Sequence, residues 1–127
     1  MYKTNLENQK IIGTTSSGKK IHWLLTSENG APNFEMRYID IPPDAEPSKT
    51  THHAHEHEVF VVSGRGVLTG KHEGKPYETE LNPGDAVYIP GNEEHQWLTP
   101  YGEGLGIICI VPKGAESEYK PEGLGEG

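Results

Sequence analysis

His52-His53-Ala54-His55-Glu56-His57-Glu58-Val59-Phe60-Val61-Val62 packs four of the chain's seven histidines into six residues, then runs straight into an apolar stretch. Valine and phenylalanine favour strands. Side chains alternate across an extended chain, so His53, His55 and His57 share a face with Val59 and Val61. Neutral imidazole is the commonest protein ligand for transition metals. A further histidine, His95, falls in a second strand punctuated by glycine and proline. The pattern predicts a metal site assembled from two strands of a small β-barrel.

Geometry constrains the cluster. Two residues of straight strand advance about 6.6 Å, which would put His53 and His57 about 13 Å apart at Cα. Metal–nitrogen bonds are about 2 Å long for zinc. The chain must therefore bend between 53 and 57 if both imidazoles reach one ion.

Working outward, the rest of the chain alternates short strands with turns. Ile11-Ile12 predicts a short strand, Ser16-Ser17-Gly18 a turn and 21–25 a strand. Phe34, Met36 and Tyr38 alternate with Glu35 and Arg37 until Pro42-Pro43 stops that strand. Turns at 63–66, 82–85 and 90–92 and a hairpin tip at 72–75 separate strands at 67–69, 77–81, 86–89, 95–98 and 106–111. Sixteen glycines and ten prolines fit such a fold better than a helical one. At 127 residues the expectation is one all-β domain. Residues 1–33 supply N-terminal strands that pack on the barrel or on a partner subunit, 34–111 the barrel, and 112–127 a loosely ordered tail.

Composition narrows the partners. The net charge is −8, from 19 acidic and 11 basic residues, with no basic, aromatic-laced patch for nucleic acid. No apolar stretch is long enough to span a membrane, and no apolar run follows Met1–Asn5 as in a signal peptide. A single cysteine, Cys109, excludes an internal disulfide and points to a reducing, cytoplasmic setting.

Two motifs together resemble the cupin superfamily. One is roughly Gly, five residues, Pro-x-Gly-x-x-His; here Gly84, Pro90 and His95 fit, with Asn92 in place of the usual glycine. The other is roughly His-x-His, three or four residues, Glu, six residues, Gly. Counting back from Gly64 puts His57 where glutamate is usual, as in small single-domain cupins that carry a fourth histidine in a context like His57-Glu58-Val59-Phe60-Val61. Strict spacing would then align the His-x-His pair with Thr51 and His53. A loop two residues shorter would align it with His53 and His55, and keeps strand parity.

The resemblance implies a double-stranded β-helix, the cupin or jelly-roll barrel. It implies one divalent transition metal (Fe, Mn, Ni, Cu or Zn) on His53, His57 and His95, with His55 as fourth ligand. Trp97 shares parity with His95 and is expected to line the pocket. Met36 and Tyr38 are expected to line the barrel or a partner-facing sheet. His22, His52 and His72 are expected at the surface and Cys109 as a buried inert thiol; Arg37 is expected at the surface, the alternative being that it faces the cavity and holds an anionic substrate. Glu58 should face away from His57, so no general base stands out.

The expected function is dioxygenase-like oxidation of a small organic molecule. Alternatives are non-redox isomerisation or cyclisation, and a small-molecule binding or sensor module without catalysis. A homodimer is expected, because a barrel this small leaves sheet edges to cover.

Overall fold

The computed structural model describes residues 1–8, 13–14, 18–45 and 54–115. Nine strands are present among them: β1 (Gly13–Thr14), β2 (Lys20–Leu25), β3 (Phe34–Ile41), β4 (His57–Gly64), β5 (Gly66–His72), β6 (Lys75–Leu81), β7 (Ala86–Ile89), β8 (His95–Leu98) and β9 (Leu105–Pro112). They form a six-stranded sheet in the order β1-β2-β3-β9-β4-β7 and a three-stranded sheet in the order β6-β5-β8. All pairings are antiparallel. Short 3₁₀ turns lie at Leu6–Asn8 and Ser27–Asn29. The architecture is the expected jelly-roll barrel. Of the N-terminal readings, Ile11-Ile12 and Ser16-Ser17 lie outside the described residues.

Local chemistry sets the turns. Glu73 (φ 51°) and Gly74 (φ 79°) both occupy the left-handed region, as a two-residue hairpin between β5 and β6 requires. In Asn82-Pro83-Gly84-Asp85, proline sits second and Gly84 (φ 94°) third, while the Asp85 carboxylate accepts from the Asn82 N–H at 2.8 Å. This turn is stitched to β4, since the Val61 N–H donates to the Asp85 carbonyl and the Gly84 N–H to the Val61 carbonyl, each at 2.9 Å. Asn92, at the position where glycine is usual, has φ 63°. Asparagine enters that region more readily than most side chains, so the departure keeps the turn.

Alternation fixes the inward face. His57, Val59 and Val61 of β4 are buried, while Glu58 and Phe60 point out. Between the sheets, Ile39, Ile41, Leu68, Leu105 and Ile107 make the core. In β3 the buried set is Glu35, Arg37, Ile39 and Ile41, with Met36 and Tyr38 on the opposite face. Met36 and Tyr38 therefore do not line the barrel interior, and Arg37 is not a surface residue. The apolar alternation of Phe34, Met36 and Tyr38 belongs to the outer face. Both faces of this strand carry large side chains, so the apolar residues alone do not decide which one turns inward.

The segment expected to be loosely ordered from 112 begins inside the fold. Pro112 pairs with Phe34, and Ala115 is buried. The Gly114 N–H donates to Glu35 Oε1 at 3.0 Å, and the Ser27 N–H to Glu35 Oε2 at 3.1 Å. A buried carboxylate thus ties the start of the tail to a loop, a tie that strand periodicity does not reveal. Residues 116–127 lie outside the described residues.

Replacing the fully buried Ile107 with Ala should cost about 2–5 kcal/mol in urea unfolding, as cavity-forming core truncations do. Thr79→Ala, exposed on β6, should change stability by no more than about 0.5 kcal/mol. Equal losses would contradict the inward parity described.

Candidate functional site

Three imidazoles meet inside one end of the barrel. His57 opens β4 in the six-stranded sheet, and His95 opens β8 in the three-stranded sheet. Their ring centroids are 5.3 Å apart. His55 sits in a bend just before β4, with its ring 4.7 Å from that of His57. The bend falls at Ala54–His55, inside the interval where coordination geometry requires one. His57 and His95 are 2% and 1% exposed and His55 is 9% exposed, so all three have left solvent. His53, His52 and Thr51 lie outside the described residues.

The turn before β8 holds the bend in place. A Cβ on Gly91 would stand 2.6 Å from the Ala54 carbonyl oxygen, so only glycine lets the two segments approach this closely. The second motif therefore seats the first.

Two of the buried rings, His95 and His57, have polar neighbours behind them. His95 Nδ1 lies 3.0 Å from the Glu93 carbonyl oxygen, which can only accept. That contact places the proton on Nδ1 and the lone pair on Nε2. The Glu93 side chain is itself clamped, by Tyr77 Oη donating at 3.0 Å and by His72 Nδ1 at 2.6 Å. Gly70, register partner of His95, leaves room for this, since a Cβ there would meet Tyr77 Oη at 2.6 Å. Trp97, two residues on, is 3% exposed with its ring 6.3 Å from His95.

Behind His57 stand Arg37 and Cys109. Trp23, Arg37, Cys109 and Val59 are successive register partners across β2, β3, β9 and β4. Arg37, 0% exposed, holds its guanidinium carbon 5.4 Å from the Trp23 ring centre. Its Nη2 lies 3.3 Å from His57 Nδ1 and 3.5 Å from Cys109 Sγ. Cys109 Sγ lies 3.4 Å from the same His57 nitrogen. Lys19 is also buried, at 2% exposure.

Electrostatics favour the neutral form of His95. Burial pushes the His95 pKa below its ordinary value, and the Lys19 and Arg37 charges push the same way, against the pull of the Glu93 hydrogen bond. Neutral imidazole is the form that binds metal. Imidazole donors suit Zn, Cu, Fe and Ni, so the ring cluster fits such an ion in kind. Among the described residues no three His, Cys, Asp or Glu side chains are already disposed as a coordination set.

The sequence reading brought together His55, His57, His95 and Trp97. It missed Arg37, Lys19, Gly91 and the place of Cys109 beside His57. For Arg37 the signal was its shared parity with Ile39 and Ile41; for Gly91 and Lys19 there was none. His22 and His72 stand outside the cluster, His22 beside Tyr38 and His72 on the surface against Glu93. Glu58 faces out as expected, and Glu56 accepts from the Tyr88 hydroxyl at 2.8 Å.

The depressed His95 pKa has a stability consequence. Between it and the ordinary value of 6.5, the unfolded chain binds the proton that the folded chain refuses. Metal-free protein should thus lose urea stability as pH falls below about 6.5, and His95→Gln should flatten that loss. An unchanged slope would contradict the assignment.

Comparison with known proteins agrees with the fold. Residues 37–111 match the family described as Cupin domain. A 1-methylthio-D-xylulose 5-phosphate methylsulfurylase of Rhodospirillum rubrum is 35% identical over 89 residues, covering 69% of this chain and 53% of that protein. An acireductone dioxygenase of Bacillus cereus is 33% identical over 90 residues, covering 68% of this chain and 49% of that protein. The chain thus spans about half the length of the curated relatives it matches. Among solved structures, a cupin 2 domain-containing protein from Halorhodospira halophila superposes with a TM-score of 0.65 at 31% identity, over 79% of this chain and 68% of that one. The polyketide cyclase RemF from Streptomyces resistomycificus gives a TM-score of 0.76 at 23% identity, over 88% and 79% of the two chains, a likeness of fold alone. With both motifs inside the matched span and the jelly-roll barrel built around them, the chain belongs to the cupin domain family.

Proposed function

We propose that this chain is a metal-dependent cupin enzyme that oxidises a small organic molecule with dioxygen. The observation that carries the reading is the buried cluster of His55, His57 and His95, drawn from both sheets with ring centroids 4.7 and 5.3 Å apart. One divalent transition metal (Fe, Mn, Ni, Cu or Zn) would be held by these three, with His53 or Thr51 as further candidates. Such an ion would supply open positions for substrate and dioxygen. The chain's own part is to keep His95 neutral by burial, to hold it through the Glu93 carbonyl, and to pack Trp97 beside it.

The acireductone dioxygenase relatives support this reading. A second reading is non-redox chemistry on the same site, favoured by the methylsulfurylase relative at 35% identity. A cytoplasmic location belongs to the proposal, supported by a single, buried thiol. So does a homodimer. Phe60, Val62 and Tyr88 are 48%, 44% and 56% exposed on the outer face of the six-stranded sheet, beside a groove of about 380 Å³ that Ile108 and Ile110 also line. A second copy covering that face would bury it.

Elemental analysis of the protein as isolated should find one transition metal per chain. His95→Ala should abolish binding, because it removes the second sheet's ligand. His52→Ala should leave binding intact; if it loses metal while His55→Ala keeps it, the register of the cluster is shifted. Fe- or Mn-loaded protein supplied with acireductone should consume dioxygen. Turnover of 1-methylthio-D-xylulose 5-phosphate without dioxygen uptake would favour the second reading, and turnover of neither would favour a binding module.

Light scattering should give twice 14.0 kDa. Phe60→Glu should return the chain to 14.0 kDa if the outer face is the contact. If the dimer survives, deleting residues 1–19 should dissolve it where N-terminal strands packed on the partner subunit hold it instead.

A further inference from the structure

We propose that Cys109 is a positioning residue for His57: its sulfur accepts the Nδ1 proton and so leaves the lone pair on Nε2 for ligation. The proposal rests on the metal-site reading above.

Three atoms form a closed triangle behind the ring: His57 Nδ1, Arg37 Nη2 and Cys109 Sγ, with separations of 3.3, 3.4 and 3.5 Å. A guanidinium can only donate, an imidazole nitrogen can do either, and a thiol both donates and accepts weakly. Two arrangements follow. If Arg37 or the Cys109 S–H donates to Nδ1, the His57 proton sits on Nε2 and that nitrogen cannot bind metal. If Nδ1–H donates to Sγ, Arg37 directs its own N–H at the same sulfur. Both donors are then satisfied by one acceptor, and Nε2 carries the lone pair.

The second arrangement matches the other sheet. There His95 donates from Nδ1 to the Glu93 carbonyl and is left in the same tautomer. The two imidazoles that meet at 5.3 Å thus receive equivalent support, a carbonyl in one sheet and a thiol in the other. Such outer partners fix ring orientation and the ligating nitrogen.

The placement of Cys109 follows from the ladder. β9 lies between β3 and β4, and Cys109 is the register partner of both Arg37 and Val59. At 1% exposure it meets no solvent. A purely packing role would be served equally by valine, which lacks an acceptor. Serine keeps an acceptor in a similar volume, so the two substitutions separate hydrogen bonding from shape.

The test uses ¹⁵N-labelled full-length protein, metal-free, above the histidine titration range. Long-range ¹H–¹⁵N spectra read the His57 tautomer, and chelator competition reads the affinity for Zn²⁺ alone. Wild type should show the Nδ1–H form. Cys109→Val should move His57 toward Nε2–H and weaken Zn²⁺ binding about 10–100-fold. Cys109→Ser should restore the tautomer and bring affinity to within a few-fold of wild type. Nε2–H in the wild type would overturn the proposal even if the valine variant fails to fold. So would a folded valine variant with unchanged tautomer and affinity, in which case the metal reading stands. If wild type binds no Zn²⁺ while the tautomers follow the expected order, the metal reading fails and the positioning role survives.

Discussion

Polar rings can be held out of water only where something hydrogen-bonds them, and this requirement organises the interior of the barrel. His57, His95 and Arg37 are each at most 2% exposed. The sheets meet that demand differently. The three-stranded sheet answers it with main chain, through the Glu93 carbonyl. The six-stranded sheet answers it with a cross-strand row in which Trp23, Arg37 and Cys109 stand side by side. The ring cluster exists because both supports face the same interior.

The turns are as much part of the site as the histidines. Asn82–Asp85 closes on the backbone of Val61, and Gly91 lets the turn ahead of β8 press on the Ala54 carbonyl. These two contacts anchor the second motif to the first at two levels, one inside β4 and one at the bend before it. A methyl group at 91 would push the levels apart without touching any histidine. Spacing between glycine, proline and histidine in such a motif therefore measures how far a turn must reach.

The outer face of the larger sheet follows a different logic. Met36, Tyr38, Ile108 and Phe60 form apolar rows there, while the inward face of the same strands carries Glu35, Arg37 and His57. A strand with a polar site on one side and apolar cover on the other inverts the usual rule of apolar inside. This inversion is why apolar alternation alone does not tell which face of β3 holds Arg37 and which holds Met36 and Tyr38. β4 escapes the ambiguity because Val59 and Val61 continue the histidine parity into the core.

The sequence by itself determined the all-β class, the turn positions and the shared parity of His55 and His57, while the pairing of that motif with His95 was what the family resemblance implied. The first three are encoded locally, in alternation, left-handed turn residues and spacing. Only the tertiary structure decided what stands behind the rings. Arg37 and Cys109 are far apart in the chain, and the order β2-β3-β9-β4 brings them into one row with Trp23. Which side chains become lateral neighbours depends on strand order and register, long-range quantities set by how two sheets close over a shared core. No local pattern carries them, so the support of the site became visible only once the sheets were assembled.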